Sequence, residues 1–336
     1  MEKIKNVSVP MFKIDFDRIS FYEVNTFSGN FSKNSVEQAQ IVSEQDREEV
    51  NDFNNRQHDG ILSTTARANL LRAIGRFAFF TDRVNKEKAL KKLKGKRSLK
   101  FVTLTLSSPQ IHSDVEIKKK CLNQFLIEMR EKYKMKHYVW KAEKQENGNL
   151  HFHIIIDVYI NYQDIRYTWN RCQNSLGYVD RFRERMKKLG LNGYCEIMKI
   201  TQPDTSIVKF KERYLKGLLA DFRQPPSTEI RQVLKVRNAR AYFGKYFSKP
   251  SKIEPGFGRI WFASRSLTLD TSLRASYHGL KGSFHELLET HFMDKKVIYD
   301  YAVVFWVSYT EIEKVIKHRW LNWYSEVLNK EMLNFY

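Results

Sequence analysis

The sequence predicts an α+β fold, because segments in which apolar residues alternate with polar ones are interleaved with segments in which they recur every three or four positions. Residues 101–107 set Val102, Leu104 and Leu106 against Thr103, Thr105 and Ser107, the pattern of a strand covered on one face. Residues 137–143 and 150–158 are two further strand-like runs, and Asn147-Gly148 between them favours a hairpin turn. Ala66, Leu70, Ile74 and Phe77 stand at helical spacing.

The elements follow in chain order. Residues 1–60 read as short strands and polar connections, with a loose acidic stretch over 43–59. Ser63 is a helix cap for the run through Phe77, whose Arg67, Arg72 and Arg76 are expected to face outward. Gly95, flanked by lysines, marks a boundary, giving an accessory N-terminal region over 1–96, a central domain over 97–265 and an accessory C-terminal region over 266–336. Pro109 ends the first central strand, and Asp114 caps a helix with Cys121, Leu122, Phe125, Leu126 and Met129 on its buried side. A helix starts near Tyr162 and packs through Ile165 and Trp169, and 181–189 reads as another. Residues 193–200 read as extended and 204–222 as helical. Pro225-Pro226 breaks the chain before an extended 230–236. A short helix over 239–248 ends before Pro250, and 259–263 is the last central strand. The tail holds an aromatic-rich strand over 299–308 and then helix.

With 336 residues, 42% of them hydrophobic, the chain can bury one large core or two modest ones. Lys and Arg number 58 against 38 Asp and Glu, a net charge of +20, which points to a polyanionic partner. The surplus is uneven: residues 1–60 carry −4 and the remainder +24. The densest basic run, 81–100, has nine basic and two acidic residues. It places Lys91, Lys92, Lys94, Lys96 and Arg97 among the candidate nucleic-acid contacts, with Arg240, Lys249 and Arg259 further on. Cys121, Cys172 and Cys195 are odd in number and widely spaced, as in a reducing compartment and unlike a zinc clip. Neither a signal-peptide pattern nor an apolar run of roughly 20 residues is present, so membrane insertion is not expected. No Gly-rich loop ending in Gly-Lys-Ser/Thr is present, which excludes a fused ATP-driven helicase of that type.

Strand alternation points His151 and His153 to one face and Phe152, Ile154 and Ile156 to the other. Two imidazoles with a carboxylate suit a divalent cation and leave positions for phosphate or water. Glu143 precedes them across the hairpin, and the register decides its role. A symmetric two-residue Asn147-Gly148 turn sets Glu143 opposite Phe152, on the wrong face, whereas a loop of Asn147 to Asn149 sets it opposite His153. The longer turn is therefore expected, with the loop residue Glu146 as substitute. His112, His137, His278, His285 and His291 lack such pairing and read as surface or packing residues. A reaction that needs only a polarised phosphate favours Mg2+ or Mn2+.

In Tyr242-Phe243-Gly244-Lys245-Tyr246 the tyrosines are four apart, hence on one helical face, with Lys245 beside them. A tyrosine hydroxyl, with a reference pKa near 10, needs help to attack phosphorus at neutral pH. A metal held by Glu143, His151 and His153 supplies it by making the phosphate more electrophilic, and Lys245 neutralises added charge.

These three motifs, in the order 101–107, His151-Phe152-His153 and Tyr242 to Tyr246, resemble the rolling-circle replication initiators of the HUH endonuclease superfamily, with two tyrosines as in the phage and plasmid types. The resemblance spans about 97–265. It implies a central antiparallel sheet flanked by helices with a ferredoxin- or RRM-like core, elaborated by N- and C-terminal elements. It also implies a metal at the histidine pair, Tyr242 and Tyr246 as nucleophiles, and cleavage of single-stranded or hairpin origin DNA through a 5′-phosphotyrosine with later rejoining. A separate helicase and other replication proteins, in the cytoplasm of a bacterial host, are the implied partners. The interval between the histidine and tyrosine motifs is longer than in the simplest small initiators. A transposase with the same chemistry, a noncatalytic nucleic-acid-binding protein and a two-His-one-carboxylate iron oxygenase are the alternative readings.

Overall fold

The structure is a computed structural model that describes residues 6–27, 62–94, 97–232, 243, 257–268, 272–276 and 283–335. Its described strands are β1 Asn6–Ile14, β2 Ile19–Phe27, β3 Lys100–Thr105, β4 Tyr138–Lys144, β5 Leu150–Ile156, β6 Thr228–Gln232, β7 Trp261–Ala263, β8 Leu273–Ser276, β9 Lys296–Tyr299 and β10 Ala302–Phe305. The fold is α+β, with two five-stranded antiparallel sheets. The chain divides into two compact units, one of Arg56–Leu267 and one of Met1–Asn55 with Thr268–Tyr336.

The first unit holds the sheet β6-β3-β5-β4-β7. Its central strand β5 is rich in β-branched residues, which fit a pleated, covered surface. Val102, Leu104, Trp140, Ala142, Phe152, Ile154 and Ile156 share one face by strand parity and are all buried. Helices cover that face. A helical run begins at Asp114–Ile117, passes through a π-helical turn at Lys118–Leu122 and continues over Asn123–Tyr133, adding Leu122, Phe125, Leu126 and Met129 to the core. Its cap is Ser113, whose Oγ accepts from Glu116 N at 3.2 Å, one residue before the expected Asp114. The helix Tyr162–Asn174 adds Ile165, Trp169 and Cys172. Trp169 meets Phe125 and Phe152 edge-on at 5.9 Å each, and its Nε1 donates to Thr105 O at 2.7 Å, so its polar atom is satisfied in the core.

Ser63 caps the helix Thr64–Leu90, accepting from Ala66 N at 3.1 Å. This helix lies within the central unit and runs into the basic segment. Two 2.7 Å hydrogen bonds between Asn85 and the backbone of Arg97 return the chain to it. The division of the chain therefore differs from the expected boundary at residue 96. Arg76, expected outward, is 3% exposed and donates to Leu267 O at 3.4 Å, because it falls inside the buried stripe that includes Ala73, Phe77 and Phe80.

Residues 193–200, expected to be extended, belong to the helix Tyr178–Thr201. Gly190, with φ +68°, interrupts that helix, and the segment beyond it packs through Leu191 and Tyr194 against Tyr214 of the helix Ile207–Leu219. Tertiary packing thus decides a segment whose local pattern is weak. Helix 239–248 lies outside the described residues apart from Phe243, and β6 and β7 fall inside the extended segments expected around them.

The second unit draws its sheet, β8-β1-β2-β10-β9, from both ends of the chain. Phe12 and Phe21 form its aromatic core with Phe284 and Phe305, and Trp320 packs on Phe12 at 5.1 Å. The expected tail strand is a hairpin of β9 and β10, followed by helices Tyr309–Val315 and Arg319–Phe335. Charge follows the division: 44 basic and 19 acidic residues in 56–267 give +25, and 14 against 19 in the other unit give −5. The three cysteines are free and buried. No helix among the described residues is long and apolar enough to cross a membrane.

Candidate metal centre

Strand parity divides the central sheet into an apolar face and a polar one. The polar face carries Phe101, Thr103 and Thr105 on β3, Lys141 and Glu143 on β4, His151 and His153 on β5, and Glu229 on β6.

The hairpin that aligns Glu143 has neither of the turns weighed from the sequence. Its pairs are Glu143 with His151 and Lys144 with Leu150, closed by Gln145 N to Asn149 O at 2.9 Å around the loop Glu146-Asn147-Gly148. Gly148 N also donates to Gln145 O at 2.9 Å, and Gly148 takes φ +79°, the left-handed position that such a three-residue loop reserves for glycine. The expected pairing of Glu143 with His153 is therefore corrected by two residues. Two residues is one full strand period, so the carboxylate stays on the histidine face and reaches His153 diagonally.

Glu143 Oε1 lies 2.8 Å from His153 Nε2, and Oε2 lies 3.6 Å from Lys141 Nζ. The imidazoles of His151 and His153 meet edge to face at 4.4 Å. Thr103 Oγ1 is 3.3 Å from His153 Nδ1, the type of hydrogen bond that fixes the orientation of a ligating imidazole. Burial, and then the neighbouring His153, push His151 down to about 4, against the opposite pull of Glu143 and Glu229. Burial raises the Glu143 carboxyl, but the hydrogen bond from His153 and the charges of His153, Lys141 and His151 outweigh it and leave it below its ordinary value. Both groups are thus in their metal-binding protonation states at neutral pH.

One ligand atom from each of Glu143, His151 and His153 lies within 4.8 Å of the others, the one such cluster of three among the described residues. His151 Nδ1 is buried with no hydrogen-bond partner among the described residues, a donor left over by the protein's own contacts. Two imidazoles and a carboxylate fit a divalent cation on both counts. Glu146 is exposed in the loop and outside the cluster. His112 meets Tyr178 Oη, His137 meets Ser266 Oγ and His285 pairs with Glu289, while His278 lies outside the described residues.

An aromatic stack leads from this centre to the tyrosine motif. Phe101 lies on His153 with centroids 4.9 Å apart, and Phe243 lies on Phe101 at 5.7 Å, both nearly parallel. Phe243 is fully buried, so the residue between Tyr242 and Gly244 is anchored beside a candidate ligand. Tyr242, Lys245 and Tyr246 themselves, with Arg240, Lys249 and Lys96, lie outside the described residues.

Lys91, Lys92 and Lys94 are exposed, Lys91 pairing with Glu87 one helical turn away. Arg97 is committed to the buried Asp157 at 2.7 Å. Arg259 is exposed, its guanidinium 5.2 Å from the Phe262 ring. The sequence reading missed Lys141, Phe101 and Glu229. Parity alone puts all three on the histidine face, but it required the strand order to say which strands adjoin.

A sheet face presenting two imidazoles and a carboxylate, in a unit of net charge +25, defines a candidate divalent-metal site facing a polyanion. Residues 99–251, which take in β3, the histidine pair and the tyrosine motif, match the family model for replication-associated proteins of the ORF2 type. No curated protein and no solved structure matches the chain.

Proposed function

We propose that this chain is a rolling-circle replication initiator that nicks single-stranded origin DNA and rejoins it by transesterification. The observation that carries this reading is the stack His153-Phe101-Phe243, which ties the segment bearing Tyr242 and Tyr246 to the Glu143-His151-His153 face. The match of residues 99–251 to a replication-associated family and the +25 charge of the same unit support it.

Glu143, His151 and His153 hold Mg2+ or Mn2+, which polarises a nonbridging oxygen of the scissile phosphate when bound. Thr103 fixes the His153 ring. The Tyr242 oxygen forms a bond to phosphorus and loses its proton. The bond from phosphorus to the 3′ oxygen breaks, and that oxygen leaves as a 3′ hydroxyl after taking a proton. The phosphotyrosine on the 5′ end conserves the bond, so a second hydroxyl, that of Tyr246 or of a DNA 3′ end, can accept the strand without ATP. Lys91, Lys92 and Lys94 supply sequence-independent attraction to the backbone, and a separate helicase opens the duplex.

The test is adduct formation. The full chain is incubated with a randomised single-stranded DNA library and Mn2+, then resolved on a denaturing gel. A covalent protein–DNA species that disappears in EDTA and in the Tyr242→Phe/Tyr246→Phe variant is expected. An adduct that persists in that double variant would remove the tyrosine helix from the chemistry, and undiminished cleavage after verified metal removal would remove the triad.

A further inference from the structure

Lys141 is the one lysine on the polar face of β4, two residues before Glu143 and directly opposite His153. Its side chain is 1% exposed, while Glu143 and His153 keep 24% and 12%. An ammonium withdrawn from water carries a desolvation penalty of several kcal/mol that only a well-placed counter-charge offsets, so packing alone would be better met by leucine or methionine. The counter-charge is Glu143, whose two oxygens are divided: Oε2 toward Lys141 at 3.6 Å and Oε1 toward His153 at 2.8 Å. A fixed cation therefore occupies the second oxygen of the only carboxylate in the candidate ligand set.

Resting on the metal-centre reading above, we infer that Lys141 is a positioning residue that turns Glu143 so that one oxygen faces the metal and, by competing for that carboxylate, makes divalent-metal binding depend on the arrival of a DNA phosphate. The charges support this. Glu143 and Lys141 cancel, so a dication enters a formally neutral set of side chains and its charge goes unbalanced. A phosphodiester brings the missing negative charge. Removal of Lys141 leaves one uncompensated carboxylate, enough to hold the cation without DNA.

Mn2+ is titrated calorimetrically into the full chain carrying Tyr242→Phe and Tyr246→Phe, which leaves the metal ligands intact and blocks cleavage. The titration is run with and without saturating single-stranded DNA, for Lys141, Lys141→Met and Lys141→Arg. With Lys141, DNA should tighten Mn2+ binding on the order of tenfold, the usual scale of effects from groups that orient metal ligands. Lys141→Met should bind Mn2+ alone at least that much more tightly and gain little from DNA, and Lys141→Arg should restore the dependence. A merely structural lysine would lower the thermal midpoint of Lys141→Met and leave the DNA dependence of Mn2+ binding intact. That outcome overturns the inference, as does Lys141→Met binding Mn2+ alone no more tightly than the parent. Lys141→Gln serves if the methionine variant fails to fold. Glu143→Ala separates the two ideas: if it binds Mn2+ as the parent does, the metal centre itself is misassigned, whereas loss in Glu143→Ala with no change in Lys141→Met refutes the role of Lys141 alone.

Discussion

Phe243→Ala should disable nicking without touching a candidate metal ligand. The ring is fully buried and stacks on Phe101 at 5.7 Å, and Phe101 stacks on His153 at 4.9 Å. Truncating a buried phenylalanine to alanine costs about 3–5 kcal/mol, from lost transfer free energy and the cavity left behind. If that loss falls on the docking of the tyrosine segment, the docking equilibrium weakens by roughly two to three orders of magnitude, since each 1.4 kcal/mol is a factor of ten. Part of it will be spread over the whole unit, so a fall in nicking rate of about tenfold is the lower bound expected. The assay is single-turnover adduct formation at a temperature where near-ultraviolet circular dichroism reports a folded chain, with Mn2+ affinity measured in parallel. Nicking should fall, Mn2+ affinity should stay within about twofold because His153 keeps its contacts to Glu143 and Thr103, and Phe243→Tyr should recover most of the rate. Wild-type nicking by folded Phe243→Ala would refute the claim that this stack seats the tyrosines.

Thr103→Val removes the hydroxyl 3.3 Å from His153 Nδ1 at nearly constant volume; Mn2+ affinity should weaken by about tenfold, and an unchanged titration would deny the orienting role. His151, held down at about 4, gives a pH dependence of stability. Unfolded histidines take up protons from about pH 6.5 downward and folded His151 only near pH 4, so the unfolded state binds more protons in that window and stability falls as pH drops from 6.5 to 4. Metal-free urea melts should show a steeper loss in the wild type than in His151→Gln, and parallel curves would contradict the depressed value. Tyr242→Phe should abolish the first adduct, whereas Tyr246→Phe should nick once and fail to transfer the strand; peptide mass mapping of an initial adduct on Tyr246 alone would reverse the order.

Much of the central sheet was legible because its apolar half alternates cleanly. Val102, Leu104, Phe152 and Ile154 repeat every second residue, a pattern that a helix cannot bury on one side. The second unit was illegible for a topological reason. Its sheet joins β1 and β2 to strands more than two hundred residues later, and four- to nine-residue strands carry no sequence mark of their distant neighbours. Residues 193–200 misled for a local one. Gly193 and the β-branched Ile197 and Ile200 read as extended, yet Leu191 and Tyr194 meet a partner helix, and that contact outweighs propensities worth a few tenths of a kcal/mol each.

The clustering of Glu143 with the histidines was legible even through a turn that was read wrongly, and the reason lies in the periodicity of the strand. Any error of two residues in a hairpin register restores every side chain to its original face, whereas an error of one exchanges the faces. Placing Glu143 with His151 and His153 therefore needed only the parity of the loop, and three loop residues rather than two settle that parity wherever the loop begins. What parity cannot supply is the neighbour across the second strand. Thr103 and Phe101 reach His153 because β3 lies against β5, and Glu229 acts on His151 because β6 lies against β3. Those adjacencies bring a ring, a hydroxyl and a carboxylate from separate stretches of chain to two imidazoles. Lys141 stands apart: it occupies the same strand as Glu143 at the same parity, so its place beside the carboxylate was available from the sequence. Its burial was not, because a lysine on a polar face reads as solvated until the packing around it is known.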